Sequence, residues 1–302
     1  MVRKTVRGSV ATVGVFDGVH LGHLRILEVV SSRAREAGLI AAVLTFDPHP
    51  DEVLGKLDSR RFLLTTQHEK KLLLANLGVD AAMVVEFTPA LAGLDTGSFV
   101  KKYLLNSLRV RELVVGHDFR MGRDRIGDRD LLSSLGARFG FSVIDVDAVL
   151  IDGVPVSSTR VREAIATGDM ALASKLLGRN YSVEGTVVKG NGVGRSLGFP
   201  TANLSVNERK LLPPDGVYAG YAEVWGRTLK AAINIGLRPT VGGDGKLVEA
   251  YIIGFGEDIL GETVVLDFVV RMRPERKFPS RDELRKAIAI DVDKIVYLLD
   301  SQ

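Results

Sequence analysis

The stretch SVATVGVFDGVHLGH, residues 9–23, joins an apolar run to a glycine-containing turn and the start of a helical pattern. The apolar run is typical of a buried strand, and the periodicity after the turn predicts a helix over 21–37. His20 and His23 stand one helical turn apart at this junction, although the chain has only five histidines. Open α/β sheets bind ligands beyond the carboxyl ends of their strands, so the junction is a candidate site.

The same alternation of apolar run and helical pattern continues to about residue 180. Helices are predicted from a capping box at Thr66 and Glu69, near 98–108 and near 129–138. The apolar runs have the length of strands: LIAAVLTF, AAMVVEF, ELVVG and FSVIDVDAV. Apolar strands separated by helix-length segments indicate an α/β domain, in which a parallel sheet has helices on both faces.

From Tyr181 the pattern changes to strand-like runs without helix-length segments between them: YSVEGTVVKG, GVYAGYAEVW, RTLKAAINIG, KLVEAYIIGF and TVVLDFVVRMR. Such runs predict antiparallel neighbours in a small β-barrel. A capping box at Ser280 and Glu283 predicts a C-terminal helix. Its apolar face comprises Leu284, Ile288, Val292, Ile295 and Leu299. The sequence therefore predicts two domains, 1–180 and 181–302.

Composition narrows the class of protein. A length of 302 residues suits two domains, and a net charge of +3 without a dense basic block argues against a nucleic-acid partner. Cysteine is absent, which excludes disulfides, thiolate nucleophiles, iron–sulfur clusters and cysteine-based zinc sites. No apolar run reaches the roughly 18 residues of a membrane span. We expect a cytoplasmic protein that acts on small molecules, with no membrane partner, and the sequence leaves a homo-oligomer open.

The two histidines admit three interpretations: a zinc pair, a phosphate site, or two surface residues with ordinary hydrogen bonds. A zinc site would need a further matching ligand, and the pair completes no known zinc spacing. Gly14 and Gly18 let the backbone approach a ligand, and the N-terminus of the following helix favours phosphate. Imidazoles beside such a site can donate hydrogen bonds to phosphate oxygens as charge develops. The pattern favours phosphate binding.

Residues 14–23, GVFDGVHLGH, resemble the HxGH motif of the nucleotidyltransferase superfamily, and VSSTRVR at 156–162 resembles its second motif, ISSTxxR. The resemblance implies a Rossmann-like domain in which His20 and His23 act on the ATP phosphates at the transition state, with Arg162 opposite them. The implied ATP-binding set also includes Gly14, Phe16, Asp17, Gly18, Ser158 and Thr159. The implied reaction is the transfer of a nucleotidyl group from ATP. This reaction needs no protein nucleophile, because the phosphate of the acceptor attacks the α-phosphorus of ATP itself.

Two further stretches resemble the FMN adenylyltransferase branch of that superfamily. TFDPHP at 45–50 ends the second predicted strand, and VGHDFRMGRDRIGD at 115–128 follows the fourth. The resemblance implies that residues from both stretches line one flavin pocket: Phe46, Pro48, His49, Asp118, Phe119 and Arg125.

A second glycine-rich stretch, VVKGNGVGRSLGFPTANL at 187–204, differs from a dinucleotide-binding loop. Arg195 stands at the third glycine position of GxGxxG, no Walker lysine is present, and the loop follows a predicted antiparallel strand. In an extended segment Thr201 and Asn203 face the same way, as a magnesium–phosphate contact requires. Phe199 and Pro200 beside them indicate a placed set of ligand contacts rather than a bare hairpin.

This stretch is similar to the riboflavin kinase domain, and the similarity extends from 181 to about 293. It implies that Thr201 and Asn203 hold Mg²⁺ and the ATP phosphates, and that Glu249 is the base for the riboflavin 5′-hydroxyl. The chain departs from the family at Tyr251, where histidine is usual, and at Gly254, where aspartate is usual. The implied ATP-binding loop comprises Gly190, Gly192, Gly194, Arg195, Gly198, Pro200, Thr201 and Asn203.

Together the resemblances imply a bifunctional enzyme of flavin biosynthesis. The C-terminal domain would phosphorylate riboflavin to FMN, and the N-terminal domain would adenylylate FMN to FAD and release pyrophosphate, both with ATP and Mg²⁺. One alternative is a monofunctional FMN adenylyltransferase with a degenerate kinase domain, which Tyr251 and Gly254 support. Another is a flavin- or nucleotide-binding regulator without activity. The complete set of reactive residues opposes it: His20, His23, Arg162, Thr201, Asn203 and Glu249.

Overall fold

The computed structural model describes residues 8–57, 61–123, 126–237 and 245–301. The chain divides into two units: the first comprises residues 1–60 and 65–158, and the second comprises 61–64 and 159–302. The predicted boundary between 180 and 181 marks a change in sequence pattern rather than in compactness, and it stays a prediction.

In the first unit, strands and helices alternate along the chain. Its elements are β1 (Ser9–Val13), α1 (Leu21–Ala37), β2 (Ile40–Asp47), α2 (Pro50–Val53), α3 (Gln67–Asn76), β3 (Ala81–Glu86), α4 (Pro89–Ala92), α5 (Thr96–Phe99), a π-helix (Val100–Ser107), β4 (Val110–Gly116), α6 (Arg129–Phe139), β5 (Ser142–Val146), β6 (Leu150–Ile151) and β7 (Val154–Pro155). Strands β1–β5 form one sheet in the order β3-β2-β1-β4-β5, with every pair parallel. The predicted parallel sheet is confirmed.

Strand β1 lies in the middle of this sheet, with β2 on one side and β4 on the other. The strand order reverses at β1, so its carboxyl end is the topological switch point at which open α/β sheets bind ligands. Val10 of β1, Ala41 of β2 and Val114 of β4 pack with Val30 and Ala34 of α1 in one buried cluster. This packing holds α1 against the sheet and thereby sets where its N-terminus lies.

The helices of the first unit begin close to their sequence signals. Helix α1 covers the predicted span and ends at Gly38, whose left-handed backbone has φ +64°. Helix α3 begins after Thr66, and the capping box with Glu69 is formed in both directions. The helix expected near 98–108 is built differently, because α5 continues into the π-helix, where the Leu108 N–H donates to the Tyr103 carbonyl. Segments of π-helix are rare and occur frequently at functional sites.

The remaining elements are α7 (Ser158–Thr167), α8 (Met170–Leu177), β8 (Tyr181–Val188), α9 (Val193–Ser196), β9 (Ala202–Val206), β10 (Gly216–Val224), β11 (Arg227–Leu237), β12 (Lys246–Ile252), β13 (Thr263–Pro274) and α10 (Arg281–Asp300). Within the described residues, β8–β13 close into a barrel of antiparallel pairs in the order β10-β11-β12-β9-β8-β13. The predicted barrel is confirmed. Strand β9 was not among the strands predicted from the sequence, which indicated only an extended segment there.

Helix α10 closes the chain on the outside of the barrel. The Ser280 side chain accepts a hydrogen bond from the Glu283 N–H at 3.2 Å and caps the helix. Ile295 and Leu299 are buried against Val217 and Ala219 of β10. The helix thus covers the barrel through part of its predicted apolar face. In the part of the chain that the structure describes, no helix combines the length and the apolar character needed to cross a membrane.

The short segment 61–64 belongs to the second unit although α2 and α3 on either side of it belong to the first. The N–H groups of Phe62 and Leu63 both donate to the Arg209 carbonyl at 2.9 Å. The ammonium of Lys210, which is 1% exposed, donates to the Leu64 carbonyl at 2.7 Å. The segment is therefore fixed to the stretch between β9 and β10 by main-chain bonds and by a buried charge.

Asp267 on β13 is a half-buried carboxyl near a like charge. Its neighbours in the barrel are Ser182 of β8 and Tyr221 of β10. Burial, reinforced by the negative charge of Glu223 and opposed by Arg179, raises the pKa of Asp267 to about 6.

We expect Asp267→Asn to reduce the pH dependence of stability. Since the folded pKa lies above the ordinary value of 3.8, the folded state holds an additional proton between about pH 4 and about pH 6. The free energy of unfolding of the wild type therefore falls as pH rises through this window, by about 3 kcal/mol for such a shift. Urea unfolding across the window measures the difference, with the exposed Asp293→Asn as control. Equal pH dependence in wild type and Asp267→Asn would contradict the prediction.

Candidate functional sites

The loop between β1 and α1 is strained. Phe16 has φ +52° and Val19 has φ +42°, and Gly18 between them has φ +82°. A side chain in the left-handed region costs about 1–3 kcal/mol, and residues of this kind cluster at ligand sites. Two such residues within four positions, at the switch point of the sheet, mark this loop as the candidate site of the first unit.

Hydrogen bonds of the buried Asp17 hold the loop in this conformation. Its carboxylate is 2% exposed and accepts hydrogen bonds from the Thr65 N–H at 2.9 Å and from Thr65 Oγ1 at 3.2 Å. Thr65 Oγ1 in turn accepts from the Gly18 N–H at 3.0 Å, and Ser158 Oγ donates to the Asp17 carbonyl at 2.9 Å. Asp17 thus acts on the loop itself, while its assignment to ATP stays a prediction. Thr65 was not identified from the sequence, since nothing in its spacing relates it to Asp17.

The two histidines of the motif lie together. Their rings stack at a centroid distance of 3.7 Å, and the Phe16 ring lies 4.9 Å from that of His23. His20 caps α1, because its Nδ1 accepts from the His23 N–H. When one ring nitrogen accepts, the neutral imidazole carries its proton on the other, so Nε2 of His20 is the donor nitrogen. A Cβ at Gly22 would lie 3.2 Å from His20 Cε1, which explains the glycine between the histidines.

The second motif of the nucleotidyltransferase resemblance lies at the start of α7. Ser158 belongs to the first unit, where it donates to Asp17, and Thr159 and Arg162 belong to the second. Arg162 Nε donates to the Phe62 carbonyl at 3.1 Å, and its guanidinium stacks 3.8 Å from the centre of the Phe62 ring. The side chain is therefore held in a defined position by the segment 61–64.

The residues assigned to a flavin pocket come together only in part. Phe46 and Phe119 both pack against one buried cluster of the first unit, and Phe46 meets Phe87 edge to face at 5.5 Å. His49 is buried, follows Pro48 and caps α2 by accepting from the Asp51 N–H. The Asp118 side chain is 84% exposed, and its Oδ1 lies 3.8 Å from Nδ1 of His117. Arg125 lies outside the described residues.

The second unit contains a cavity of about 670 Å³. This volume is within the usual range of about 300–1,000 Å³ for small-ligand sites. Predicted site residues and residues not identified from the sequence line it together. The predicted ones are Gly194, Thr201 and Glu249, and the others include Asn234, Arg273, Phe278 and Asp291.

Strand register brings two polar residues of this cavity, Glu249 and Asn234, into one row with Asn203. Glu249 on β12 is directly opposite Asn203 on β9 and Asn234 on β11. Side chains at directly opposed positions of antiparallel strands lie on the same face, about 5 Å apart at Cβ. The predicted base and the predicted phosphate ligand are therefore neighbours, although 46 positions separate 203 from 249 in the chain. Asn234 could not be found from spacing, because only the pairing of β11 with β12 brings it here.

The glycine loop lies directly on the two predicted phosphate ligands. A Cβ at Gly190 would be 2.1 Å from Asn203 Nδ2, and a Cβ at Gly194 would be 3.1 Å from Thr201 Oγ1. Gly190 is required by the contact with Asn203, and Gly194 is required because its Cβ would lie 2.4 Å from the Phe199 carbonyl oxygen. Gly192 and Gly198 turn the chain with positive φ. Arg195 and Pro200 of the same stretch are exposed.

The chemistry of this loop fits Mg²⁺ carried by a nucleotide. Among the described residues no group of three or more His, Cys, Asp or Glu side chains could hold a metal ion. Magnesium usually keeps several waters and is bound through substrate phosphates with few protein oxygens. The hydroxyl of Thr201 and the amide oxygen of Asn203, beside backbone that glycine leaves open, are oxygens of that kind.

The two departures from the riboflavin kinase pattern have local structural explanations. Tyr251 lines the cavity and meets the ring of Phe199 edge to face at 5.4 Å. Gly254 follows β12 with φ +73°, a conformation that aspartate adopts less readily than glycine. Neither residue displaces Glu249, which is two positions from Tyr251 on the same strand and face.

A Rossmann-like sheet with a histidine-bearing loop at its switch point, followed by a barrel with a glycine loop, defines a class of phosphate-transferring enzyme with two sites. Comparison with known proteins gives the family. The family model described as FAD synthetase matches residues 2–160, and the one described as riboflavin kinase matches residues 177–299. The chain belongs to the family of bifunctional riboflavin kinase/FMN adenylyltransferases.

Individual relatives match along nearly the whole chain. The bifunctional riboflavin kinase/FMN adenylyltransferase of Pseudomonas fluorescens is 39% identical over 293 residues, covering 96% of this chain and 93% of its own. That of Escherichia coli K12 is 39% identical over 287 residues, covering 94% and 90%. A crystal structure described as a macrolide-efflux protein from Streptococcus pneumoniae superposes with a TM-score of 0.86 at 31% identity, covering 95% and 94%. The fold is thus shared with that structure over 95% of this chain.

We expect Gly190→Ala to impair phosphorylation of riboflavin and to spare adenylylation of FMN. Gly190 is outside the left-handed region, so the effect comes from the 2.1 Å contact with Asn203 and not from backbone strain. A displacement of this kind lowers the rate by about tenfold or more. Initial rates of FMN formation from riboflavin measure it. Gly256→Ala is the control, because its methyl group would meet no described atom within 4 Å; equal rates in the two variants would refute the close-approach argument.

Proposed function

We propose that the second unit phosphorylates riboflavin in the cavity lined by Thr201 and Glu249, and that the first unit adenylylates the resulting FMN at the loop of His20 and His23. The protein thereby makes FAD from riboflavin in two ATP-dependent steps. The assignment of residues rests on the way that Glu249, Asn203, Thr201 and the glycine loop lie together. Glu249 stands opposite Asn203, the glycine loop lies on Asn203 and Thr201, and Thr201 and Glu249 line one cavity.

In the kinase step, Glu249 would accept the proton of the riboflavin 5′-hydroxyl. The hydroxyl oxygen forms its bond to the γ-phosphorus of ATP as the bond to the β,γ-bridging oxygen breaks, and ADP leaves. Thr201, Asn203 and the backbone of the glycine loop would hold the phosphates. Bound Mg²⁺ would neutralise the phosphate charge during transfer. The remaining wall, including the Phe199–Tyr251 pair, would hold the flavin in line with the γ-phosphorus.

In the adenylyl transfer step, a phosphate oxygen of FMN attacks the α-phosphorus of ATP and pyrophosphate leaves, so no covalent enzyme intermediate forms. The Nε2–H of His20 would donate to a phosphate oxygen as negative charge develops, because Nδ1 is used as the helix cap. His23, stacked on His20, would do the same for a neighbouring oxygen. The N-terminus of α1 adds backbone donors with a favourable dipole. Arg162 would neutralise further phosphate charge.

Several assignments for the adenylyl transfer step rest on the resemblance together with position in the sequence. Gly14, Phe16 and Gly18 would contact ATP through the backbone, and Ser158 and Thr159 through their hydroxyls. Phe46, Pro48, His49, Asp118 and Phe119 would line the flavin site. The cytoplasmic location, the absence of nucleic-acid partners and the oligomeric state stay predictions.

We expect Glu249→Gln to abolish the kinase step selectively. Loss of a general base lowers the rate by about 10²–10⁴-fold, whereas adenylylation occurs at residues that the substitution does not touch. Chromatography of flavins measures both steps in parallel tubes, one given riboflavin and one given FMN, each with ATP and Mg²⁺. The exposed Glu262→Gln in the same unit is the control.

The same two incubations distinguish the bifunctional enzyme from a monofunctional adenylyltransferase and from a regulator without activity. FAD from riboflavin in the wild type supports two working sites. FAD from FMN alone would instead show a monofunctional adenylyltransferase. Flavin binding without product in either tube would show a regulator. Conversion of riboflavin by Glu249→Gln at the wild-type rate would refute the assignment of the base.

We expect His20→Asn to separate catalysis from helix capping. Asparagine is among the best N-cap residues, so α1 keeps an acceptor at this position. The donor that corresponds to Nε2–H is removed, and FAD formation from FMN should fall by about a hundredfold or more. Riboflavin phosphorylation by the same sample and its thermal unfolding are the controls, and both should match the wild type. Wild-type FAD formation by His20→Asn would exclude the proposed donor.

A further inference from the structure

Lys70 is a buried lysine in the first unit that the assignments above do not use. It lies in the first turn of α3 and is 5% exposed. Its ammonium donates to the Val15 carbonyl at 2.8 Å and lies 3.4 Å from Thr45 Oγ1. Val15 immediately precedes the strained residues of the β1–α1 loop, and Thr45 immediately precedes Phe46. The lysine therefore contacts both segments that carry the adenylyltransferase motifs.

Two side chains converge on one carbonyl oxygen. Besides Lys70, the hydroxyl of Thr45 donates to the Val15 carbonyl at 2.9 Å, and Thr45 is 1% exposed. The carbonyl and the N–H of a trans peptide point in opposite directions. Fixing the Val15 oxygen on the side of Lys70 therefore turns the Phe16 N–H to the other side. The two donors therefore set the orientation of the whole Val15–Phe16 peptide.

The surroundings of Lys70 act on the pKa of its ammonium in two opposite directions. Burial lowers its pKa, while the charges of Asp17 and Asp47 act in the other direction. A cation in the first turn of a helix also opposes the helix dipole, by about 0.3–1 kcal/mol. Lys70 is thus unfavourable for local stability, both as a buried lysine and as a cation at a helix N-terminus. Residues of this kind beside strained backbone are expected at functional sites.

We propose that Lys70 is a positioning residue for adenylyl transfer. Together with Thr45 it fixes the Val15–Phe16 peptide, and through it the strained loop that leads to His20. Its ammonium is buried under the loop, so it acts through the backbone and not by contact with the substrate. The proposal rests on the proposed function of the first unit.

Three substitutions test this role. Lys70→Met removes the ammonium and keeps the length of the side chain, and Thr45→Val removes the hydroxyl and keeps the shape. Lys71→Met is the matched control, because Lys71 is the next residue of the same helix and is exposed. The measurements are kcat and KM for FAD formation from FMN and ATP, riboflavin phosphorylation by the same samples, and thermal unfolding.

We expect Lys70→Met to lower kcat for FAD formation by about 10- to 100-fold, as a misplaced catalytic group does, and to change the KM for FMN by less than about threefold. Thr45→Val should act in the same direction but less strongly. The double variant should lose no more than about the larger single loss, because both donors act on one carbonyl. Lys71→Met and riboflavin phosphorylation should match the wild type.

The possible failures are distinguishable. If wild-type protein makes no FAD from FMN, the proposed function of the first unit fails. If it makes FAD and folded Lys70→Met does so at an equal kcat, the positioning role is wrong. Equal loss of both activities, or additive losses in the double variant, would also overturn it in favour of a general effect on stability. Should Lys70→Met not fold, Thr45→Val decides, and an unchanged kcat in that variant would exclude the role.

Discussion

Both candidate sites contain a glycine whose backbone lies close to a polar side chain, and at Gly190 the approach is closer than any Cβ would allow. In the barrel, Gly190 lies on the amide of Asn203 and Gly194 lies on Thr201. In the first unit, Gly22 lies under the ring of His20. Close approach of the glycine backbone restricts the positions that the polar side chain can take. It also places backbone N–H groups beside that side chain, which is the arrangement that phosphate recognition needs.

The two units reach this arrangement by different means. The first unit uses one edge of a parallel sheet, where the carboxyl ends of β1, β2 and β4 bring three loops together. The second uses antiparallel register, which places Glu249, Asn203 and Asn234 side by side from three strands. Neither site contains a resident metal cluster among the described residues. Phosphate charge would be met by donors, by Arg162 and by the cation that the nucleotide carries.

Features with a local signal were predictable from the sequence. The extent of α1, the cap at Thr66 and the change from parallel to antiparallel strands follow from periodicity and capping. The motif residues proposed for both sites could be assigned from the sequence because each motif is short and continuous. Features that depend on contacts distant in sequence were not predictable. Three hydrogen bonds are examples, because each joins positions that no spacing rule connects: Thr65 to Asp17, Arg162 to Phe62, and Lys70 to Val15. The π-helix was missed because its residues read as an ordinary helix.

The segment 61–64 bears on how the polypeptide can be divided. A fragment that began at residue 181, the start of the barrel, would keep Lys210 but lose the Leu64 carbonyl to which its buried ammonium donates. It would also leave Arg209 without the two N–H groups that share its carbonyl. Cutting the gene at that point would thus separate the second compact unit from four residues that belong to it.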